Sequence, residues 1–289
     1  MFFAPPGKLK RLGVVGLNQR NGDYISKLNR RSDYPKVDNK LITKQLAVSA
    51  GIAVPELYAV VETNHDAQRL ASLLAPYQDF VIKPAHGSGG EGIVVVDGRQ
   101  GKLFRKASGQ LVTLASLEHH VGNILSGMYS LGGQPDHAMI EYRVRFDPLF
   151  KDITFQGVPD IRTIVFKGYP VMAMVRLPTR TSDGKANLHQ GAVGAGINIA
   201  TGVTHHGVFN SLKIDHHPDT GHPIGGHAIP QWDVLLRLAA GCYELTGLGY
   251  LGVDVVLDAD KGPLILELNA RPGLCLLYTS PSPRDLSTS

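Results

Sequence analysis

Three side chains near the C-terminal end of the sequence have the chemistry and spacing of a divalent-metal site. Asp254, Glu267 and Asn269 lie in two segments whose apolar residues alternate with other residues on either side of a turn at 258–263. This alternation predicts a β-hairpin. In a hairpin that is symmetric about the middle of that turn, Asp254 lies opposite Glu267, and Asn269 shares the face of Glu267.

The predicted pair of carboxylates needs a partner. Two acidic side chains about 5 Å apart repel each other unless one is protonated or a cation lies between them. Mg²⁺ prefers carboxylate, amide and phosphate oxygens, and the side chains of Asp254, Glu267 and Asn269 supply the first two kinds. The pattern therefore predicts a magnesium site on one face of the hairpin. The alternative is a solvated polar face of an edge hairpin.

A glycine-rich segment at 86–92, His-Gly-Ser-Gly-Gly-Glu-Gly, lies between two predicted strands at 80–84 and 93–96. Glycines let a backbone fold closely over phosphates and present N–H groups to them, and Lys83 adds positive charge. The segment is neither a P-loop, because GxxxxGK[ST] is absent, nor a dinucleotide-binding motif, because it joins a strand to a strand. A flexible turn without a ligand is the alternative.

Two lysines, Lys40 and Lys44, lie one turn apart on a helix predicted over 40–50. Asp38 or Asn39 can cap the start of this helix, and a glycine follows its end. Lysines on a helix are ordinarily a solvated face, so this pair alone does not indicate an anion site.

Charged residues also occur on a hairpin predicted from segments 160–166 and 170–176. The alternation places Asp160 and Arg162 on one face and Arg176 near the open end. Charges on an otherwise apolar hairpin indicate a site, and a surface-facing strand is the alternative.

The elements between these segments complete the predicted order. We expect a helix at 111–130, a strand at 138–144 with Glu141 at its centre, a loop at 179–202 and a helix at 230–245. The histidine-rich stretch at 205–227 has no spacing typical of a zinc site.

The composition indicates an ordinary globular protein. The chain has 289 residues, 43% of them hydrophobic, which is enough for a sizeable core in one large domain or two lobes. The net charge of +4 comes from dispersed residues, so we expect no nucleic-acid partner, whereas anionic small molecules are compatible. No apolar segment approaches the ~20 residues of a membrane-spanning helix, and no signal-peptide pattern is present. We expect a cytoplasmic protein without membrane insertion.

In their order and spacing, these elements resemble the ATP-grasp superfamily, and most closely its RimK-like α-L-glutamate ligase-like branch. The resemblance covers residues 18–274. It rests on Gly-Leu-Asn-Gln-Arg-Asn at 16–21, the lysine helix, Phe-Val-Ile-Lys-Pro with the glycine-rich segment, the strand with Glu141, Asp-Ile-Arg at 160–162, Asn-Leu-His-Gln-Gly-Ala at 187–192, Gly-Val-Asp at 252–254, Glu-Leu-Asn at 267–269 and Arg-Pro-Gly at 271–273.

The resemblance implies an α+β fold in which two α+β lobes with antiparallel sheets hold ATP between them. It divides the chain into a short N-terminal segment (1–36), an N-terminal lobe with a glycine-rich lid hairpin (37–142) and a C-terminal lobe with the magnesium site (143–274). Residues 275–289 are rich in Ser and Pro and resemble translated sequencing adapter, so we expect a non-native tail.

The resemblance also implies a reaction and its participants. The expected reaction is ATP-dependent ligation of a carboxylate to an amine through an acyl phosphate. We expect two Mg²⁺ ions, with Mn²⁺ as a substitute. The expected substrates are a small-molecule or peptide carboxylate and an amino acid such as glutamate, and a homo-oligomer is compatible.

Site residues are implied position by position. Lys40 and Lys83 match lysines that contact ATP phosphates, and Arg162 and Arg176 match basic positions toward the γ-phosphate and the acyl phosphate. The remaining matches are the lid (His86, Gly87, Ser88, Gly89, Gly90, Gly92), the strand at adenine (Glu141, Tyr142), the ribose (Asp160), the substrate loop (Asn187, His189) and the metal ligands (Asp254, Glu267, Asn269).

Such a reaction agrees with these residue types. Phosphoryl transfer to a carboxylate spreads negative charge over oxygens, and fixed cations stabilise that charge without a protein nucleophile. The domain that precedes the lobes in ligases of this type is reduced here to residues 1–36, so part of the substrate site is expected to be absent or supplied by another subunit. Two alternatives remain: an ATP-binding regulatory protein without ligase activity, and an ATP-grasp kinase that phosphorylates a hydroxyl.

Overall fold

Thirteen strands can be assigned in the part of the chain that the computed structural model describes, which is residues 6–13, 15–87 and 89–273. Ser88 and the predicted tail at 275–289 lie outside these residues. The strands are β1 (Leu57–Val61), β2 (Phe80–Pro84), β3 (Val94–Gln100), β4 (Leu103–Lys106), β5 (Leu111–Val112), β6 (Ala138–Glu141), β7 (Asp160–Phe166), β8 (Tyr169–Leu177), β9 (Val193–Ile197), β10 (Thr204–Phe209), β11 (Leu212–Ile214), β12 (Tyr250–Asp258) and β13 (Gly262–Asn269).

These strands form two antiparallel sheets, as expected for an α+β protein with two lobes. The first sheet has the order β1-β6-β2-β3-β4-β5, and the second has the order β11-β10-β9-β8-β7-β12-β13. Because β7, β12 and β13 are neighbours, the charged residues that the sequence places on two separate hairpins come together in one sheet.

Helices pack against both sheets. They are α1 (Pro6–Arg11), α2 (Leu17–Gln19), α3 (Pro35–Asp38), α4 (Lys40–Ser49), α5 (Asn64–Ala67), α6 (Leu70–Leu74), α7 (Leu114–Leu125) and α8 (Trp232–Thr246), with a π-helical segment at Arg20–Ser26 and short 3₁₀ turns at Arg31–Asp33, Leu131–Gly133, Pro148–Phe150 and Leu188–Gln190. Within the described ranges, no helix is long and apolar enough to cross a membrane.

Each lobe has its own core. In the first lobe, α7 buries Leu117, Val121 and Ile124 against Phe80 and Ile82 of β2. In the second lobe, α8 buries Leu235, Ala239 and Cys242, which are spaced at i, i+4 and i+7 and therefore share one helix face. This packing fixes the sheets, and their opposite faces carry the charged residues.

The predicted helix cap at Asn39 is confirmed. The Asn39 side chain accepts hydrogen bonds from the N–H groups of Leu41 and Ile42 at 2.9 and 3.2 Å. These bonds satisfy donors that the first helical turn leaves free. They fix the start of α4 and with it the position of Lys40.

The hairpin β12–β13 has the predicted register at the site. Asp254 pairs with Glu267 and Gly252 with Asn269. Between Asp254 and Val255 the register shifts by one residue, so the turn end pairs as Asp258 with Gly262. Leu266 is the extra residue of this bulge.

Three sequence-based boundaries are wrong, and a further stretch without a structural prediction contains two strands. The predicted helix at 111–130 is β5 followed by α7, because Thr113 caps the helix through Ser116 N–H at 3.2 Å. The predicted strand at 138–144 ends at Glu141, which is therefore its last residue and not its centre. The predicted loop at 179–202 contains β9, and the histidine-rich stretch contains β10 and β11.

The lobes meet where the chain passes from the first to the second. Tyr142 and Val144 pack with Val256 and Leu264 of the hairpin. Since the site residues come from both lobes, this contact contributes to their relative position.

Candidate functional site

Asp254 lies at the centre of a buried ionic network. Its carboxylate accepts from Arg162 Nε at 2.7 Å, from Arg162 Nη2 at 2.6 Å and from Arg176 Nη2 at 2.8 Å. Asn269 Nδ2 lies 3.3 Å from the same carboxylate. Asp254 is 1% exposed. Burial opposes its ionisation, but the attraction of Arg162 and Arg176 outweighs burial and lowers the pKa of Asp254 to about 2.

Asp160 belongs to the same network. Both of its oxygens accept from Arg176, at 2.5 Å each. Burial raises the pKa of Asp160 to about 6, and repulsion from Asp254 adds to this rise, whereas Arg176 opposes it. The pairing with Arg176 leaves the predicted contact of Asp160 with a ribose without support from the geometry.

Glu267 faces Asp254 but has a different partner. Its Oε1 lies 3.2 Å from Lys40 Nζ, and its side chain is 34% exposed. Each acid of the predicted pair therefore has its own cation. The sequence predicts that the two acids need a compensating cation, and in the structure Arg162 and Arg176 neutralise Asp254 while Lys40 neutralises Glu267.

Lys40 also contacts the glycine-rich segment. Its ammonium donates a hydrogen bond to the carbonyl of Gly87, and its backbone N–H donates to Ala85 O at 2.9 Å. One lysine thus links the segment of one lobe to a carboxylate of the other.

Glycines of the glycine-rich segment adopt the left-handed backbone conformations that favour glycine. Gly89, Gly90 and Gly92 have φ of +64°, +78° and +72°, a region that other residues rarely adopt. At its start, His86 Nδ1 lies 2.7 Å from Asp136, which also accepts from the His86 N–H at 2.9 Å. Asp136 is 2% exposed, and no sequence pattern indicated its role.

The predicted substrate loop faces this segment. A Cβ added to Gly89 would lie 3.9 Å from Asn187 Nδ2, and one added to Gly90 would lie 3.8 Å from Lys185 Cδ. Asn187 Oδ1 accepts from the N–H of His189 at 3.0 Å, whose side chain is exposed. The structure therefore brings Asn187 to the site and leaves His189 at its rim.

Lys83 and Lys44 share one carboxylate. Lys83 forms an ion pair with Glu141 Oε1, and Lys44 Nζ lies 2.6 Å from Glu141 Oε2. Lys44 is 6% exposed, so the solvated-face interpretation is wrong for this lysine. The N–H of Tyr142 donates to Glu56 O at 2.8 Å and is therefore engaged within the protein, while the adenine contact of Glu141 and Tyr142 stays a prediction.

The proposed metal ligands suit Mg²⁺ by type. Glu267 and Asp254 offer carboxylate oxygens. The Nδ2 of Asn269 approaches Asp254, which leaves the amide oxygen of Asn269 available as a metal ligand. Among the described residues no three His, Cys, Asp or Glu side chains form a metal site, so the third ligand would be Asn269. The set fits a hard cation bound mainly through Glu267.

Comparisons with known proteins identify the family of this chain. The family model described as "Sugar-transfer associated ATP-grasp" matches residues 19–280. A protein of Parasynechococcus marenigrum named "Probable alpha-L-glutamate ligase" is 23% identical over 250 residues, which are 86% of this chain and 39% of that protein. The chain thus spans well under half the length of this relative.

Solved structures share the fold. The biotin carboxylase of Campylobacter jejuni has a TM-score of 0.52 at 16% identity, over 86% of this chain and 43% of the other. A D-alanine-D-alanine ligase from Coxiella burnetii has a TM-score of 0.45 at 14% identity, over 89% of this chain and 54% of the other. The first likeness supports the fold alone, and we draw nothing from the second.

Proposed function

Because the chain belongs to the sugar-transfer associated ATP-grasp family, we propose that it is an ATP-dependent ligase that joins a carboxylate to an amine through an acyl phosphate. The observation that carries this proposal is the meeting of Lys40 with both Gly87 and Glu267. A phosphate chain held there would have backbone N–H groups on one side and metal ligands on the other.

The proposed roles follow from position. Lys40 and Lys83 would bind phosphates, and the guanidinium groups of Arg162 and Arg176 would stabilise the negative charge that develops on the transferred phosphoryl group. Asp254, Glu267 and Asn269 would hold Mg²⁺, which supplies charge neutralisation for the phosphates when bound. The glycine-rich segment and the loop with Asn187 exclude water that would hydrolyse the acyl phosphate.

We further propose that the lobes divide at residue 142, with 37–142 and 143–274 as the two units, and that two Mg²⁺ ions take part. The amine is an amino acid such as glutamate, a proposal supported by the name of the Parasynechococcus relative. The family description associates its members with sugar transfer, so sugar-bearing carboxylates belong in the substrate panel beside peptides and small acids. We place the protein in the cytoplasm.

The test is product analysis with Mg·ATP and panels of carboxylates and amines. We expect ADP and phosphate only when both substrates are present, together with a product whose mass corresponds to their condensation. Steady formation of AMP and pyrophosphate excludes this chemistry. ADP formation with a phosphorylated hydroxyl and no amine requirement indicates a kinase, and binding without turnover across the panels indicates a regulatory protein.

A further inference from the structure

Lys44, Lys83 and Glu141 form a buried ionic cluster with two positive groups and one negative group. Their exposed fractions are 6%, 5% and 2%. Each oxygen of Glu141 has its own ammonium partner. One lysine is enough to neutralise the carboxylate, so the second ammonium is an excess buried charge that neutralising Glu141 does not require.

The two lysines are held differently. Lys44 projects from α4 and also donates to the carbonyl of Pro55, so two groups fix its ammonium. Lys83 has Glu141 as its one ionic partner among the residues described. It is the penultimate residue of β2, four residues before Gly87.

We propose that Lys44 is the permanent counter-ion of Glu141, and that Lys83 is the exchangeable one, which leaves Glu141 for a nucleotide phosphate when ATP binds. Lys44 is then a positioning residue for the reaction, and this inference rests on the proposed function. If Lys44 were absent, the departure of Lys83 would leave a buried, unpaired carboxylate, which is strongly unfavourable. Lys83 would therefore remain on Glu141, and the phosphates would lose one cation.

The experiment compares Lys44→Met with wild type by calorimetric titration of Mg·ATP and by thermal unfolding without nucleotide. Methionine retains the length and the packing of the lysine side chain. We expect the dissociation constant for Mg·ATP to rise roughly ten-fold or more, because the buried pair must break. We expect the melting temperature of the empty protein to be unchanged or higher, because Lys83 and Glu141 then form a neutral pair.

A second variant separates this role from a structural one. In Lys44→Met/Glu141→Gln no carboxylate retains Lys83, and the substitution keeps the backbone at 141 through which the predicted adenine contact is made, so affinity should recover most of the loss. Lys27→Met is the matched control, because Lys27 is exposed and pairs, among the described residues, with Asp23 alone, at 2.7 Å; its affinity and melting temperature should equal those of wild type.

Each result decides the question. A Lys44→Met protein with wild-type affinity, with a lost melting transition, or with a weakened affinity that Glu141→Gln does not restore contradicts the inference alone. Wild-type protein that does not bind Mg·ATP contradicts the proposed function as well.

Discussion

At the scale of single residues, the two acids of the hairpin have different surroundings and should respond differently to loss of charge. Asp254 is 1% exposed and is held by Arg162 and Arg176, whereas Glu267 is partly exposed and contacts Lys40. We therefore assign to Asp254 a structural contribution that Glu267 lacks. Both residues also keep their proposed role as metal ligands.

Replacing Asp254 by Asn should destabilise the protein by about 3–5 kcal/mol, because Arg162 then loses its carboxylate partner and Arg176 keeps Asp160 as its one acidic partner among the described residues. Because the pKa of Asp254 is lowered, the stabilisation that its ionised form provides depends on pH. The stabilisation from ionised Asp254 is complete above the ordinary pKa of 3.8 and is lost as the pH falls toward about 2. Chemical unfolding at several pH values measures both effects, and a variant as stable as wild type at pH 7 would show that the network contributes nothing.

Replacing Glu267 by Gln should change the stability of the empty protein by less than about 1 kcal/mol, because the pair with Lys40 is partly exposed. It should abolish turnover and most of the thermal stabilisation by Mg·ATP. Melting curves with and without Mg·ATP test this, with the exposed Glu62→Gln as control. A clearly destabilised variant that still turns over with Mg²⁺ would make Glu267 a structural residue.

The sequence predicted which residues carry charge at the site but not how the charges are paired. Alternation and turn position were enough to place Asp254 opposite Glu267. Arg162 and Arg176 reach Asp254 only because β7 lies beside β12, and strand order is not encoded in local periodicity. The burial of Lys44 was missed for the same reason, since a lysine on a helix gives no local sign of a carboxylate from another strand.

At the scale of elements, the second sheet contains a strand that hydrophobic alternation does not predict. Strand β9, Val193-Gly-Ala-Gly-Ile, is buried at all five positions, so it has no alternation, and its glycines are typical of loops. Its neighbour β10 also contains a glycine, Gly207, at the contact with β9. A Cβ on Gly207 would lie 2.9 Å from Val193 Cγ1, so close packing against this strand requires glycine.

The side chain of Asn29 ties the N-terminal segment to the site hairpin. Asn29 Nδ2 donates to Tyr250 O at 2.7 Å and to Ala270 O at 2.9 Å, and Asn29 Oδ1 accepts from the Tyr250 N–H at 2.9 Å. Arg20 adds bonds to the Tyr250 hydroxyl and the Pro272 carbonyl. The part of the chain that precedes the lobes thus supports the hairpin directly.

Replacing Asn29 by Ala should lower the free energy of unfolding by about 3 kcal/mol, because three hydrogen bonds are lost at a residue that is 2% exposed. Denaturant unfolding measures this change. Asn64→Ala, at an exposed position, is the control and should alter stability by less than about 0.5 kcal/mol. Equal effects of the two substitutions would mean that the N-terminal segment does not support the hairpin.

At the scale of the whole molecule, the two-lobed α+β arrangement followed from the order of motifs, whereas the way the lobes are joined did not. Asp258 ends β12 and was predicted only as a turn residue. It accepts hydrogen bonds from the N–H groups of Asp260 and Lys261 at 3.0 and 2.8 Å, and from the N–H of Arg145 at 2.9 Å. The last bond comes from the segment that connects the lobes.

Asp258 therefore connects the site hairpin to the segment between the lobes, and its loss should affect both stability and interlobe order. Asp258 is 2% exposed, and its replacement by Ala leaves three backbone donors without their acceptor, which should cost about 3 kcal/mol. We also expect faster limited proteolysis within 142–147, because Asp258 no longer holds the Arg145 N–H. The bonds from Ala259 N–H to Arg145 O and from Asp147 N–H to Leu257 O remain, together with an exposed ion pair between Arg145 and Asp260 at 3.5 Å, which contributes little. Asp260→Ala is the matched control from the same turn, with a side chain that is 62% exposed, and should behave as wild type in urea unfolding and in proteolysis. Equal loss of stability in both variants would show that the substitutions disturb the turn itself and that Asp258 does not connect the lobes. Destabilisation and faster cleavage at 142–147 in Asp258→Ala alone would show that Asp258 holds the hairpin to the segment between the lobes.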